Sequence, residues 1–156
     1  MTPEPPRTAS QRKTDTLAQL QGDAADVWVA TASVDDGTVQ PHLVPVSLAW
    51  LADERLAIAV QDVSRTARAL LAHRTARLGV GPTRDVVMID AVLDEVHEVA
   101  GAPGPLVEQY LRQADWDPRT SPGYSFFVLR PMRIQARREA SEIAGRTLMR
   151  DGRWLV

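Results

Sequence analysis

The sequence contains no cysteine, so disulfide bonds, thiol nucleophiles and cysteine-ligated zinc sites are excluded. It has no apolar run of membrane-spanning length, and its first residues, MTPEPPRTASQRK, lack the apolar core of a signal peptide. It also lacks an excess of basic charge: the net charge of -2 argues against nucleic acid or an acidic membrane as a partner. These absences predict a cytoplasmic protein.

The composition is that of an ordinary globular chain, with 44% apolar and 24% charged residues among 156. This length supports one domain with a substantial core. The Pro-rich, polar stretch over residues 1–8 predicts a flexible tail, and residues 9–156 are predicted to form a single domain. Lys13 is the only lysine, so nearly all the cations are arginines, each of which can bind a phosphate through two hydrogen bonds.

Short apolar stretches separated by turn residues predict a mainly β protein. Asp36-Gly37 is a strong hairpin signal because this pair tolerates positive φ at low cost. The predicted strands cover residues 26–33, 39–50, 55–60, 78–80, 86–99 (bent near Asp90 or Asp94), 124–138, 146–149 and 153–156. The closely spaced hairpins favour a six- or seven-stranded antiparallel barrel with flanking helices over a doubly wound parallel sheet.

Three helical patterns accompany these strands. The first begins at a cap, Ser10 or Thr14, and ends near Gly22, with Leu17 and Leu20 on its apolar face. The second covers residues 64–73 and the third residues 105–116. In the second helix, we expect Ala67, Leu70 and Leu71 to pack inward.

The start of the second helix has the features of an anion site. Ser64 is a good N-cap, and the first helical turn has free backbone N–H groups. Arg65 and Arg68 follow, about one helical turn apart. This arrangement suits a phosphate better than a metal ion. A capped helix with a solvated face remains the alternative, because most such helices bind nothing.

Two other groups of residues have weaker claims to chemistry. His42 lies between two prolines of a predicted strand, but the sequence identifies no acidic partner to orient it as a catalytic base. The segment 94–98, DEVHE, contains metal-ligating residue types. On a strand these side chains divide between opposite faces, so a solvated edge is the better interpretation and no metal site is predicted.

The order of these pieces resembles the split-barrel flavin-binding family that includes pyridoxamine 5′-phosphate oxidase and the deazaflavin-dependent reductases. The resemblance covers residues 26–156, nearly the whole predicted domain. The segments that carry it are Val29-Ala30-Thr31, Asp36-Gly37, residues 41–46 (PHLVPV), 64–68 (SRTAR) and 84–87 (RDVV), Gly145-Arg146 and residues 150–154 (RDGRW).

The resemblance implies a homodimer with flavin mononucleotide (FMN) bound at the subunit interface. His42, Leu43, Val44, Pro45 and Val46 would run beside the isoalloxazine ring. Val60 would lie near the ring or the ribityl chain. The phosphate would be held by Ser64, Arg65 and Thr66, supported by Arg68. Asp85 takes the place of a glutamine near the ring, and Arg146 of the partner subunit matches an arginine at the pyrimidine side of the ring.

Some residues depart from the family pattern. Arg137 stands where the oxidases have a tryptophan. Residues 141–143 (SEI) occupy the region where the oxidases have an arginine that binds the substrate phosphate. Authentic pyridoxamine phosphate oxidation is therefore not expected. The deazaflavin branch often has a lysine in this helix and an asparagine three residues later, and the residues nearest to those positions here are Thr66 and Ala69. The first hypothesis is an FMN-dependent oxidoreductase that transfers a hydride between flavin and a small organic substrate, with no catalytic residue identified. The alternatives are a reductase using the deazaflavin F420 and a non-enzymatic module that binds flavin or haem.

Overall fold

The computed structural model describes residues 2, 4–23 and 25–156. Within them, nine strands form one antiparallel sheet accompanied by three α-helices. The strands are β1 (Asp26–Asp35), β2 (Thr38–Ser47), β3 (Ala49–Trp50), β4 (Leu56–Gln61), β5 (Thr75–Val80), β6 (Val86–Glu98), β7 (Tyr124–Arg137), β8 (Thr147–Arg150) and β9 (Arg153–Trp154). The helices are α1 (Ala9–Leu20), α2 (Arg65–His73) and α3 (Gly104–Gln113).

The sheet follows the order β2-β1-β5-β6-β7-β4-β3, and β8 and β9 extend from β7. It curls so that β2, at one end of this order, contacts β4 near the other end. The result is a barrel that stays split between β2 and β4. The prediction of a mainly β, antiparallel split barrel with flanking helices is confirmed, although the structure divides the sheet into more strands than expected.

The hairpin of β1 and β2 forms where the sequence predicts it. Asp36 and Gly37 both adopt positive φ, 47° and 75°, as a two-residue type I′ turn requires. The strands pair without interruption from Asp35 with Thr38 to Asp26 with Ser47. This regular register means that alternate residues of β2 face the barrel interior and the outer surface.

The predicted single strand over residues 39–50 is wrong, because the chain changes its pairing partner at Leu48. The amide of Leu48 donates to Ala25 O at 2.9 Å, and its side chain is fully buried. The next two residues then pair with β4, Ala49 opposite Ala57 and Trp50 opposite Leu56. This change of partner separates β2 from β4 and creates the split in the barrel.

Strand β7 lies at the centre of the molecule because both of its faces are buried. Phe127 and Leu129 belong to the barrel core, while Phe126 and Val128 face a second cluster beneath α3. In that second cluster the fully buried Tyr110 of α3 packs edge-on against Phe126, with ring centroids 5.1 Å apart. Helix α3 therefore covers the outside of the barrel next to β4.

The N-terminus differs from the predicted tail and from the predicted cap. Thr8, rather than Ser10 or Thr14, caps α1: Gln11 N donates to its hydroxyl at 3.1 Å, and Thr8 N donates to the Gln11 side chain at 2.8 Å. Arg7, within the predicted tail, is instead paired with the buried Glu142. Residues 1 and 3 of that tail lie outside the described residues.

The face that α2 buries also differs from the prediction. Ala67 and Leu70 are buried as expected, but Leu71 is 55% exposed. Thr66 and Ala69 are buried instead, so the helix is rotated relative to the predicted apolar face. The small side chains on the buried face allow the helix to pack closely on β1. No helix in the described part of the chain combines the length and the apolar character needed to cross a membrane.

Candidate functional site

A cleft of about 470 Å³ opens where the barrel is split, a volume typical of sites for small molecules and cofactors. Strand β2 forms one wall, and the end of β4 with the start of α2 forms the other. The residues that line it are His42, Val44, Pro45, Val46, Ser47, Ala59, Val60, Gln61, Ser64, Thr66, Trp116 and Tyr124. The lining is mostly apolar with a few polar groups, and its described residues include no carboxylate or arginine.

One end of the cleft is the N-terminus of α2. Ser64 has an extended backbone, and its hydroxyl accepts a hydrogen bond from Ala67 N at 3.1 Å. The carbonyl of Ser64 accepts the first helical bond, from Arg68 N at 3.1 Å. Because the cap uses the Ala67 amide, the N–H groups of Arg65 and Thr66 remain as the first-turn donors without a helical acceptor. Thr66 is buried and lines the cleft.

Two arginines add positive charge to this end of the cleft. Arg65 and Arg68 are both exposed on α2. In residues 2, 4–23 and 25–156, neither has an ion-pair partner within 4.0 Å. Fixed cations beside the positive end of a helix dipole favour an anion. The α2 end of the cleft therefore has the electrostatics of a phosphate site.

The β2 wall presents backbone hydrogen-bonding groups because, among the described strands, β2 pairs with β1 alone. Amides of alternate residues on a strand point to opposite edges. Pro41 and Pro45 share one parity and have no N–H, which is tolerated on the edge that has no partner strand. Leu43 and Ser47 have the same parity, so their amides point to the open edge. A planar ligand with polar edge atoms would find donors and acceptors there.

An aromatic corner forms part of the cleft wall, beside Gln61 at the end of β4. Trp116 and Tyr124 pack edge-on, with ring centroids 5.1 Å apart. Trp116 Nε1 donates to the hydroxyl of Tyr110 at 3.1 Å, which fixes the indole. Burial raises the pKa of Tyr110 to about 12, so this hydroxyl stays protonated at neutral pH. Neither side chain was predicted to belong to the site.

The structure brings together most of the predicted cofactor residues. Those that line the cleft are His42, Val44, Pro45, Val46, Val60, Ser64 and Thr66. Leu43 has its side chain on the outer surface, 59% exposed, so it faces the cleft through its backbone only. Arg65 and Arg68 lie on the exposed side of α2. The cleft is also lined by Ser47, Ala59 and Gln61, which were not predicted. They reach it because they flank predicted residues on β2 and β4.

Two predicted residues lie outside the cleft of the protomer. Asp85 pairs with Arg7 at 3.5 Å and with Arg138 at 3.3 Å. Arg146 donates through Nη1 to Ile143 O at 3.2 Å. The Arg146 assignment required a second subunit, and for both residues a role near a flavin ring stays a prediction.

No family model and no curated protein matches the sequence. Solved structures do match. An F420 reductase aligns over 75% of this chain and 94% of its own, with 16% identity and a TM-score of 0.56. A Listeria innocua protein, provisionally named a pyridoxamine 5′-phosphate oxidase, aligns over 81% of this chain and 98% of its own, with 14% identity and a TM-score of 0.56.

A haem-binding protein from Mycobacterium smegmatis also aligns, over 94% of this chain and 59% of its own, with 16% identity and a TM-score of 0.64. These neighbours are split barrels, so the fold that the resemblance implied is confirmed. At such low identities the likeness establishes the fold and leaves the ligand open. The chain is a split barrel of the kind found in proteins similar to pyridoxamine 5′-phosphate oxidase.

Proposed function

We propose that this protein is an FMN-dependent oxidoreductase that acts as a cytoplasmic homodimer. The observation that carries the proposal is the cleft, where the open edge of β2 faces the capped N-terminus of α2 across the split in the barrel. Bound FMN would supply hydride transfer to or from a small organic substrate. The protein would contribute binding, orientation and partial exclusion of water.

The phosphate of FMN fits the α2 end of the cleft. The amides of Arg65 and Thr66 supply two directed donors, and the guanidinium groups of Arg65 and Arg68 supply charge. A phosphate monoester carries a charge of about −1.5 to −2 at pH 7, so it gains from both contributions. The mostly apolar walls suit a planar ring, whose polar edge would bind the backbone groups at Leu43 and Ser47.

The homodimer is supported by an apolar surface that begins at the cleft. On the outer face of the β1–β2 hairpin, Trp28, Val34, Val39 and Leu43 are each more than half exposed. They are joined across the strands by register pairs such as Val34 with Val39. A continuous apolar patch of this kind is typical of a protein interface. A second copy seated there would adjoin the β2 edge and add residues to an otherwise open cleft.

Two other ligands are compatible with the fold. A haem would need an axial ligand, and among the described residues lining the cleft only His42 and Tyr124 have side chains of the usual type. The deazaflavin F420 has a longer anionic tail that would extend past Arg68. Both ligands occur among the structural neighbours by name. The described residues that line the cleft include no carboxylate, arginine or lysine, which suits the neutral flavin ring and favours FMN.

The first test is the visible spectrum of the purified protein, followed by titration with FMN, F420 and haem. We expect flavin absorbance, or saturable quenching of FMN fluorescence with an affinity above that for the other two. Turnover with a nicotinamide donor would support an enzyme, whereas stable binding without turnover would support a binding module. No flavin absorbance and no binding on adding FMN would contradict the proposal.

A variant pair locates the phosphate site. Arg65→Gln should weaken FMN binding by about tenfold, because a charge-assisted hydrogen bond is worth about 1.5–3 kcal/mol. Riboflavin, which has no phosphate, should bind this variant and the native protein equally. Arg112→Gln is the matched control, since Arg112 is an exposed arginine of α3 paired with Glu108. An equal loss in both variants would place the phosphate elsewhere.

A further inference from the structure

His42 is the one described residue lining the cleft whose side chain type changes charge near neutral pH. The pairing of β3 with β4 indicates where His42 lies along the cleft. Because Ala49 pairs with Ala57 in an antiparallel register, the chain followed backwards from Ala49 through β2 leads in the same direction as β4, towards the N-terminus of α2. Helix α2 contacts both β1 and β2. His42 therefore lies at the α2 end of the cleft, and Val46 lies at the far end.

The residue opposite His42 carries a buried polar group without a partner. Thr31 of β1 pairs with His42 across the hairpin, so the two side chains share one face of the sheet. Thr31 is only 7% exposed, and in the described part of the chain its Oγ1 makes no hydrogen bond. A buried hydroxyl without a partner is costly, so a hydrogen bond from the neighbouring ring of His42 would stabilise it.

We infer that His42, oriented by Thr31, is the pH-dependent cation of the phosphate subsite. In its protonated form the imidazole donates one ring N–H to a phosphate oxygen and the other to Thr31 Oγ1. The first bond is charge-assisted, and the second satisfies the buried hydroxyl. This inference rests on the proposed FMN site and assigns to its phosphate end a residue that the resemblance placed only beside the ring.

The groups around His42 do not provide the same response to pH. The charged or titratable side chains towards this end of the cleft are Arg65 and Arg68 on α2, Asp35 at the end of β1, Asp62 after β4, and Tyr124 on β7. Asp26 and His73 lie at the opposite ends of β1 and α2. Strand β4 itself has none. Arginine, aspartate and tyrosine side chains ordinarily titrate outside the interval from about pH 5.5 to about pH 8.

The test measures the affinity for FMN and for riboflavin between about pH 5.5 and about pH 8 by fluorescence quenching, at constant ionic strength. The second ionisation of the phosphate, near pH 6, is common to all variants and cancels when they are compared. The variants are His42→Gln, which removes the charge, and Thr31→Val, which keeps the shape and removes the hydroxyl. His73→Gln is the control, at the opposite end of α2.

At the acid end, we expect His42→Gln to bind FMN about tenfold more weakly than the native protein, with the difference disappearing by about pH 8. At the acid end, Thr31→Val should also bind FMN more weakly than the native protein, but by a smaller factor than His42→Gln. His73→Gln should follow the native protein, and riboflavin affinity should not distinguish the variants. Equal pH dependence in the native protein and His42→Gln, or no effect of Thr31→Val, overturns this inference while FMN binding stands. No FMN binding at any pH overturns the proposed function and this inference together.

Discussion

Replacing Glu142 by glutamine should destabilise the fold strongly, because this carboxylate ties the N-terminus to the barrel. Glu142 is 3% exposed and accepts four hydrogen bonds. Arg7 supplies three of them, from its backbone N, Nε and Nη2 at 2.9, 3.0 and 2.8 Å. Arg138 N supplies the fourth at 2.8 Å. A glutamine has one acceptor oxygen, so two donors would then face its NH₂ group.

The magnitude follows from the pKa of Glu142, which falls from its ordinary 4.5 to about 2, chiefly because Arg7 donates hydrogen bonds to it. That lowering corresponds to about 3 kcal/mol of folding free energy at neutral pH. The folded-state pKa lies below the unfolded one, so this stability is present above about pH 4.5 and is lost as the pH falls towards 2.

Urea denaturation of the native protein and Glu142→Gln measures the effect. We expect a loss of about 3 kcal/mol at pH 7, shrinking as the pH is lowered below 4.5. Glu139→Gln is the control: Glu139 forms an exposed pair with Arg84, and its loss should cost less than about 1 kcal/mol. A similar small change in both variants, or a difference for Glu142→Gln that does not depend on pH, would refute the reasoning.

Four further substitutions test other parts of the structure. Ser64→Ala removes the hydroxyl that caps α2 and should cost about 1 kcal/mol by urea denaturation, with weaker FMN binding by fluorescence; an unchanged stability would contradict the cap. On the same helix, Leu70→Ala should cost about 2–5 kcal/mol, while Leu71→Ala should cost less than about 0.5 kcal/mol; a loss for Leu71→Ala as large as that for Leu70→Ala would contradict the exposed position of Leu71. Trp116→Phe removes the donor to Tyr110 and should cost about 1 kcal/mol in thermal or urea unfolding, and no change would mean that the bond at the cleft wall is not formed.

Elements specified by local chemistry could be predicted from the sequence. Asp36-Gly37 determines the type I′ turn, and that turn sets the register of the whole β1–β2 hairpin. Ser64 begins α2 where a capping residue precedes a helical pattern. The capping box of α1 is also present in the sequence, as Thr8 followed three residues later by Gln11, and it is a stronger signal than Ser10 or Thr14 alone.

The errors arose where tertiary packing chooses between local alternatives. In α2, helical periodicity allows either Leu71 or the pair Thr66 and Ala69 to accompany the buried Ala67 and Leu70. The close approach to β1 selects Thr66 and Ala69 and leaves Leu71 exposed. Likewise, nothing local shows that Leu48 ends the pairing with β1. That depends on the burial of its side chain in a core assembled from distant strands.

Two of the three segments that form the cleft, β2 and the start of α2, carry sequence motifs and could be predicted. The third, which contributes Trp116 and Tyr124, could not. The β2 and α2 residues of the cleft were identified from their order along the chain. Trp116 and Tyr124 reach the cleft because Tyr124 pairs with Gln61 at the end of β4. This is a long-range register, and no turn or cap in the sequence specifies it. The aromatic corner therefore depends on the pairing of β4 with β7, which the sequence alone does not specify.

A crystal structure of the protein grown with FMN tests the central claim most directly. The account predicts the phosphate within hydrogen-bond distance of the backbone N–H groups of Arg65 and Thr66, and the ring against the open edge of β2. It also predicts a second copy of the chain covering the outer face of the β1–β2 hairpin. A phosphate bound away from the start of α2, or a cleft that stays empty at saturating FMN, would contradict it.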